Sequence, residues 1–156
     1  MGLYDTLFSH YSVPCGQLLV TEGDFQNDTR RRRFVESLRW LLAHGGVPVI
    51  NENDVIARPE LRKLFQDNDS LAVLIAQELK ADVLLLLSDV QGVYARKPLP
   101  GEEPELLPIF TRSTKVSFGE KSAVGRGGME AKVAAALAAA ESGVGAVLIA
   151  SGFMQE

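Results

Sequence analysis

The chain has little cysteine, no long apolar run and no excess of basic charge, and each lack removes a class of protein. Cys15 stands alone among 156 residues, so no disulfide can close within the chain, which fits a reducing compartment. No apolar stretch reaches the roughly 18 residues expected of a membrane span. The opening MGLYDTLFSHY has no basic segment followed by a long apolar core, so it does not read as a signal peptide. Together these absences lead to the expectation of a cytoplasmic protein that takes no membrane as partner. A net charge of -4 argues against a nucleic-acid surface. The only basic run, Arg30 to Arg33, falls in a segment of helical period and reads as a solvated helix face. His44 has no metal-spaced partner nearby and reads as a helix-end residue rather than a ligand. No G-x-G-x-x-G follows a first strand, which disfavours a dinucleotide-binding Rossmann domain.

What is present is an ordinary globular composition, 46% hydrophobic and 23% charged, in a length that fits one domain or part of a larger one. Residues 2–10 read as the end of an amphipathic helix with Leu3, Leu7 and Phe8 on one side. Gln17–Thr21 reads as a short buried strand, and Glu22–Asp28 as a polar loop ending in Asp28, the expected N-cap of the next helix. From Thr29 to Ala43, Phe34, Leu38, Leu41 and Leu42 recur at helical steps, and Gly45 is expected to close the helix in the left-handed conformation. Val47–Ile50 is a strand and 55–66 a mixed loop. Ser70–Lys80 is a helix with Leu71, Leu74, Ile75 and Leu79 inward, capped by Asn68 or Asp69. The run Val83–Leu87, VLLLL, predicts a strand covered on both faces. Residues 96–105 form an exposed excursion, Leu106–Phe110 a short strand, and 111–121 a polar stretch. Met129–Ser142 is an alanine-rich helix with Val133, Leu137 and Ala140 on its buried side, and Ala146–Ala150 is a final buried strand. Strands alternating with helices imply an α/β fold with a mostly parallel sheet and helices on both faces.

The candidate chemistry sits where strands end and helices begin. Asn51-Glu52-Asn53-Asp54 directly follows a strand, where open α/β sheets place their sites. Turn chemistry explains the same residues equally well. Asp67-Asn68-Asp69 opens a helix, and Ser88-Asp89 ends the VLLLL strand. The stretch 122–132, SAVGRGGMEAK, sets Gly125, Gly127 and Gly128 ahead of the alanine-rich helix, with Lys132 one turn inside. Glycines let backbone approach a ligand closely, and a helix N-terminus offers free N–H groups and a dipole that favours an anion. Gly128 and Lys132 share a helix face, so a polyphosphate there would meet N–H donors and an ammonium together. A plain glycine-bearing loop with a solvated Lys132 is the competing reading.

The segments VPVINEND (47–54), DNDSL (67–71), LLLLSDVQGVY (84–94) and GRGGMEAKVAAA (125–136), taken together and in this order, resemble the amino acid kinase family, in particular its glutamate-phosphorylating branch. The resemblance implies a three-layer αβα sandwich. It implies transfer of the ATP γ-phosphoryl group to the side-chain carboxylate of L-glutamate, with Mg²⁺, as the first step of proline synthesis. It assigns Asp54, Asn68 and Asn53 to glutamate and Ser88 and Asp89 to the nucleotide. Arg126, Gly127, Gly128, Met129, Glu130, Ala131 and Lys132 would hold the phosphates. Lys132 and Asp69 would act at the reacting centre, Asp69 by ordering the lysines around it. No protein residue is assigned as a dedicated metal ligand. The resemblance further implies residues 1–80 as the remainder of a substrate-binding part, residues 81–156 as a nucleotide-binding part, and a homo-oligomer for a full-length chain.

The chain also departs from the family pattern. Family members open with a strand bearing a lysine and a glycine-rich turn, then a Ser-Gly pair, and neither precedes Tyr4. The expectation is a form truncated at its N-terminus and near its C-terminus. Arg126 replaces a small or hydroxylated residue, and Lys97-Pro98 stands where an acidic residue often precedes proline. A non-catalytic binding module, or a kinase relative acting on aspartate, N-acetylglutamate or a nucleoside monophosphate, remain alternatives.

Overall fold

In a computed structural model, residues 2–53, 55, 64–96, 102–114 and 128–153 are described. The chain divides into two units, Met1–Leu71 and Ala72–Glu156, each built on one pair of parallel strands.

In the first unit, helix α1 (Gly2–Ser9) leads to strand β1 (Cys15–Val20), helices α2 (Glu22–Gln26) and α3 (Asp28–Ala43), and strand β2 (Val47–Glu52). β1 and β2 pair in parallel from Cys15↔Val47 to Val20↔Glu52. Three phenylalanines join the elements beyond the sheet. Phe25 of α2 meets Phe34 of α3 edge-on at 5.6 Å between ring centroids, and Phe65 at 5.9 Å. Edge-to-face contact suits the quadrupole of each ring. The Glu22 carboxylate accepts N–H bonds from Leu64 (2.6 Å) and Phe65 (3.4 Å), tying α2 to a segment far along the chain.

The segment Glu22–Gln26 is helical where a loop is expected. The Asp24 carboxylate accepts from both the backbone N–H and the hydroxyl of Thr21, and Asp24 donates its own N–H to the Thr21 carbonyl, which together hold a single turn despite Gly23. The N-cap of α3 is Asn27, not Asp28: its Oδ1 accepts from the N–H groups of Thr29 and Arg30. Gly45 does take a positive φ, +73°, at the end of α3. Of the four apolar residues that recur at helical steps along α3, only Leu38 is buried, while Leu42 lies exposed. No residue of α1 is buried.

Helix α4 (Asn68–Leu79) begins in the first unit and continues into the second. The second unit then runs through strand β3 (Val83–Ser88), helix α5 (Met129–Glu141) and strand β4 (Ala146–Ser151). β3 and β4 pair in parallel from Val83↔Ala146 to Ser88↔Ser151. Val73 and Ala76 of α4, Ala139 of α5 and Val144 form a buried cluster, with Leu84, Val147 and Ala135 against it. On α5 the buried residues are Val133, Ala136 and Ala139, so the inward stripe lies one position before the predicted Ala140.

The VLLLL strand corrects a second expectation. Successive side chains of a strand point to opposite faces. Leu84 and Leu86 face the helices, whereas Val83, Leu85, Leu87 and, on β4, Leu148 are each about half exposed. Among the described residues, only one face of this pair is covered by helices. Leu106–Phe110 is also not a strand; Leu106 makes a single antiparallel bridge to Tyr94, closing the excursion between them. Arg112 pairs with Glu141, joining the Thr111–Thr114 turn to the end of α5. Among the described residues no helix is long and apolar enough to cross a membrane.

At the start of β4 the backbones run close together. A Cβ on Gly145 would lie 2.7 Å from the carbonyl oxygen of Asp82, which also accepts the N–H of Ala146 at 2.9 Å. Backbone cannot swing aside as a side chain can. Gly145→Ala is therefore expected to cost about 1–3 kcal/mol of stability, read as a lower urea midpoint with unchanged slope.

Candidate functional site

The flush pairing of β3 and β4 sets Ser88 opposite Ser151 at the carboxyl ends of the two strands. A helix that links parallel strands must run back along them, so α5 starts at this same rim. The result is an open cleft of about 310 Å³ lined by Leu87, Ser88, Asp89, Lys132, Gly152 and Phe153. Ser88, Asp89 and Lys132 are thus brought together by folding, although 43 positions separate Asp89 from Lys132 in the chain. The Ser88 hydroxyl donates to Asp89 Oδ1 at 3.1 Å. Gly152 donates its N–H to the Ser88 carbonyl at 2.7 Å, which continues the strand pairing one residue past the sheet.

The tip of α5 suits an anion. Gly128 is its N-cap in extended conformation and supplies no side chain to cap the helix. Its carbonyl accepts from Ala131 and Lys132, and the first-turn N–H groups of Met129 and Glu130 have no partner within the helix. A Cβ on Gly128 would meet no described atom within 4 Å. Lys132, half-buried on the first turn, adds a cation to the positive end of the helix dipole. Asp89 is exposed and, when ionised, can only accept. It therefore suits a ligand's hydroxyl or amino groups, or a cation, rather than its phosphates.

Three other predicted residues belong to the first unit. Asn53 follows β2 in the first unit, its N–H bonded to the Val20 carbonyl at 2.8 Å. Asn68 and Asp69 form the first turn of α4. Neither of them caps that helix. Asp67 does so, its Oδ1 accepting the Ser70 N–H at 2.8 Å and the Ser70 hydroxyl at 2.7 Å. This frees the side chain of Asn68, which is exposed, from a capping role. Asp54, Arg126 and Gly127 lie outside the described residues, as do the glycine stretch up to position 127 and Lys97-Pro98. Sequence reasoning missed Leu87, Gly152 and Phe153 as cleft residues. The signal was available in one form: Ser151 ends a strand just as Ser88 does, so the residues after it belong to the same rim.

A parallel α/β unit with a helix tip and a lysine at the strand ends is an arrangement that can receive an anionic ligand at that rim. The chain is a member of the amino acid kinase family, whose family model matches residues 1–151. It is 47% identical to delta-1-pyrroline-5-carboxylate synthase 2 of Oryza sativa subsp. japonica, over 98% of this chain and 22% of that protein. It is 45% identical to delta-1-pyrroline-5-carboxylate synthase of Solanum lycopersicum, over the same shares, 98% and 22%. It is 38% identical to glutamate 5-kinase of Marinomonas sp. (strain MWYL1), over 97% of this chain and 41% of that protein. The chain thus spans about a fifth of the plant relatives and two fifths of the bacterial one.

Because Asp67 and not its neighbours closes the end of α4, Asp67→Ala is expected to destabilise the protein by about 1 kcal/mol. Amide exchange should quicken at Ser70 and the first turn of α4. Asn68→Ala should leave both stability and exchange unchanged.

Proposed function

We propose that this chain carries the nucleotide site, and part of the glutamate site, of a kinase that phosphorylates the side-chain carboxylate of L-glutamate to γ-glutamyl phosphate, the first step of proline synthesis. One observation carries the reading: Ser88, Asp89 and Lys132 line one cleft at the strand ends, in a chain 38% identical to a protein named glutamate 5-kinase. In this reading residues 81–156 serve the nucleotide and residues 1–80 the amino acid. A cytoplasmic location and a homo-oligomer, for the full-length protein, belong to the same proposal.

The reaction explains the residue types. A glutamate carboxylate oxygen attacks the γ-phosphorus of ATP, a new O–P bond forms, and the bond to the bridging oxygen breaks with its electrons going to ADP. The carboxylate is already a nucleophile, so no general base is needed. The difficulty is to bring two anions together and to hold the moving phosphoryl group in line. Lys132 and the first-turn N–H groups of α5, with Arg126 and Gly127 ahead of them, supply the positive field. Ser88 donates to the nucleotide and Asp89 accepts from it. Mg²⁺ is usually held by phosphates and one or two carboxylates rather than by a protein cage. The donor set fits that mode, since among the described residues Asp89 is the one carboxylate lining the cleft. The ion would neutralise phosphate charge. In the first unit, Asp54 accepts from the glutamate ammonium, while Asn53 and Asn68 donate to its carboxylates. Asp69 orders the lysines.

The test is glutamate-dependent ADP release from Mg·ATP, with hydroxylamine trapping the acyl phosphate as γ-glutamyl hydroxamate. Turnover is expected with glutamate and not with aspartate or N-acetylglutamate. Lys132→Ala should reduce it on the order of 10²- to 10³-fold, the usual loss when one transition-state donor is removed. ATP binding without turnover would leave a nucleotide-binding module. Wild-type turnover by the Lys132→Ala protein would refute the assignment of Lys132.

A further inference from the structure

Among the residues described in the cleft is an aromatic for which the phosphate chemistry gives no role. Phe153 lines it together with Ser88, Asp89 and Lys132, yet 70% of its surface is open to water. Its backbone is fixed although its ring is not covered. The Gly152 N–H is bonded to Ser88, and the Phe153 N–H donates to the Ser151 hydroxyl oxygen at 3.1 Å. The Ser151 hydroxyl in turn lies 3.3 Å from the Phe153 carbonyl oxygen. Since Ser151 is paired with Ser88, the aromatic ring is anchored to the strand pair that positions the polar residues. An aromatic tethered through its backbone and with an open face, beside an acceptor-only carboxylate and a lysine, matches the three parts of a nucleotide. The flat base takes the ring, hydroxyl or amino groups take Asp89, and phosphates take Lys132.

We propose that Phe153 is the stacking surface for the nucleobase, the residue through which this site favours a nucleotide over a bare polyphosphate. The proposal rests on the nucleotide reading above. Stacking on an aromatic side chain is available to a base and not to a bare phosphate chain, which separates the two contributions experimentally.

Titration calorimetry of the whole chain with Mg·ATP and with magnesium tripolyphosphate tests it. Phe153→Ala should weaken ATP binding roughly 5- to 150-fold, the range for loss of one stacked base, and leave tripolyphosphate binding unchanged. Phe153→Tyr should restore the wild-type affinity for ATP. Lys132→Ala should weaken both ligands. Equal losses for both ligands in Phe153→Ala, or none, would overturn the stacking role. So would a lowered melting temperature with unchanged ATP affinity, which would mark the ring as a packing residue. A Lys132-dependent ATP complex indifferent to Phe153 sinks this inference alone. Wild-type protein that binds neither ligand sinks the nucleotide reading and this inference with it.

Discussion

The cleft depends on the in-register pairing of β3 with β4. Six residue pairs run from Val83↔Ala146 to Ser88↔Ser151 without an offset. Ser88 and Ser151 therefore reach the rim together, and the hydrogen bond from Gly152 to Ser88 extends the match. At the other end Gly145 lets the two backbones close to contact. A slip of β4 by one residue would turn Val147 away from the cluster it packs against. It would also move Ser151, Gly152 and Phe153 along the rim relative to Ser88 and Asp89. The apolar cluster that stabilises the second unit and the polar cleft that we assign to a ligand are thus fixed by one register.

Much of this was legible in the chain because it is periodic. The spacing of apolar residues marks α3, α4 and α5, and the short β-rich runs mark the four strands to within a few residues. Ser88, Asp89 and Lys132 could be placed at strand ends and at a helix tip because polar residues at those positions are conspicuous. What was misread has specific causes. α2 spans five residues, too short for a period, and only its Thr21-to-Asp24 spacing betrays it. The caps moved by one residue, to Asn27 and to Asp67, because adjacent Asn and Asp residues are chemically equivalent candidates. Which of them caps is decided by where the backbone leaves the helix. Phe153 carries no polar signature, and only the strand register reveals that it shares the rim. The VLLLL run has no polar residue to report which face meets the helices.

The composition of α5 links packing to the site. Ala136 and Ala139 are 3% and 0% exposed, and their small side chains let the helix axis approach the strands closely. That approach sets the height of the helix tip above the sheet, and with it the reach of Lys132 and of the first-turn N–H groups toward Ser88 and Asp89. A larger residue at position 139 would meet Val73, Ala76 and Val144, and the helix would have to lift. The lift would strain the core by overpacking and would also draw the cationic end of the helix back from the strand ends. An electrostatic site of this kind has little tolerance for such a shift, because attraction falls with distance and water screens it further as the gap widens. The alanine-rich character of this helix therefore reads as a requirement of the anion site as much as of the core.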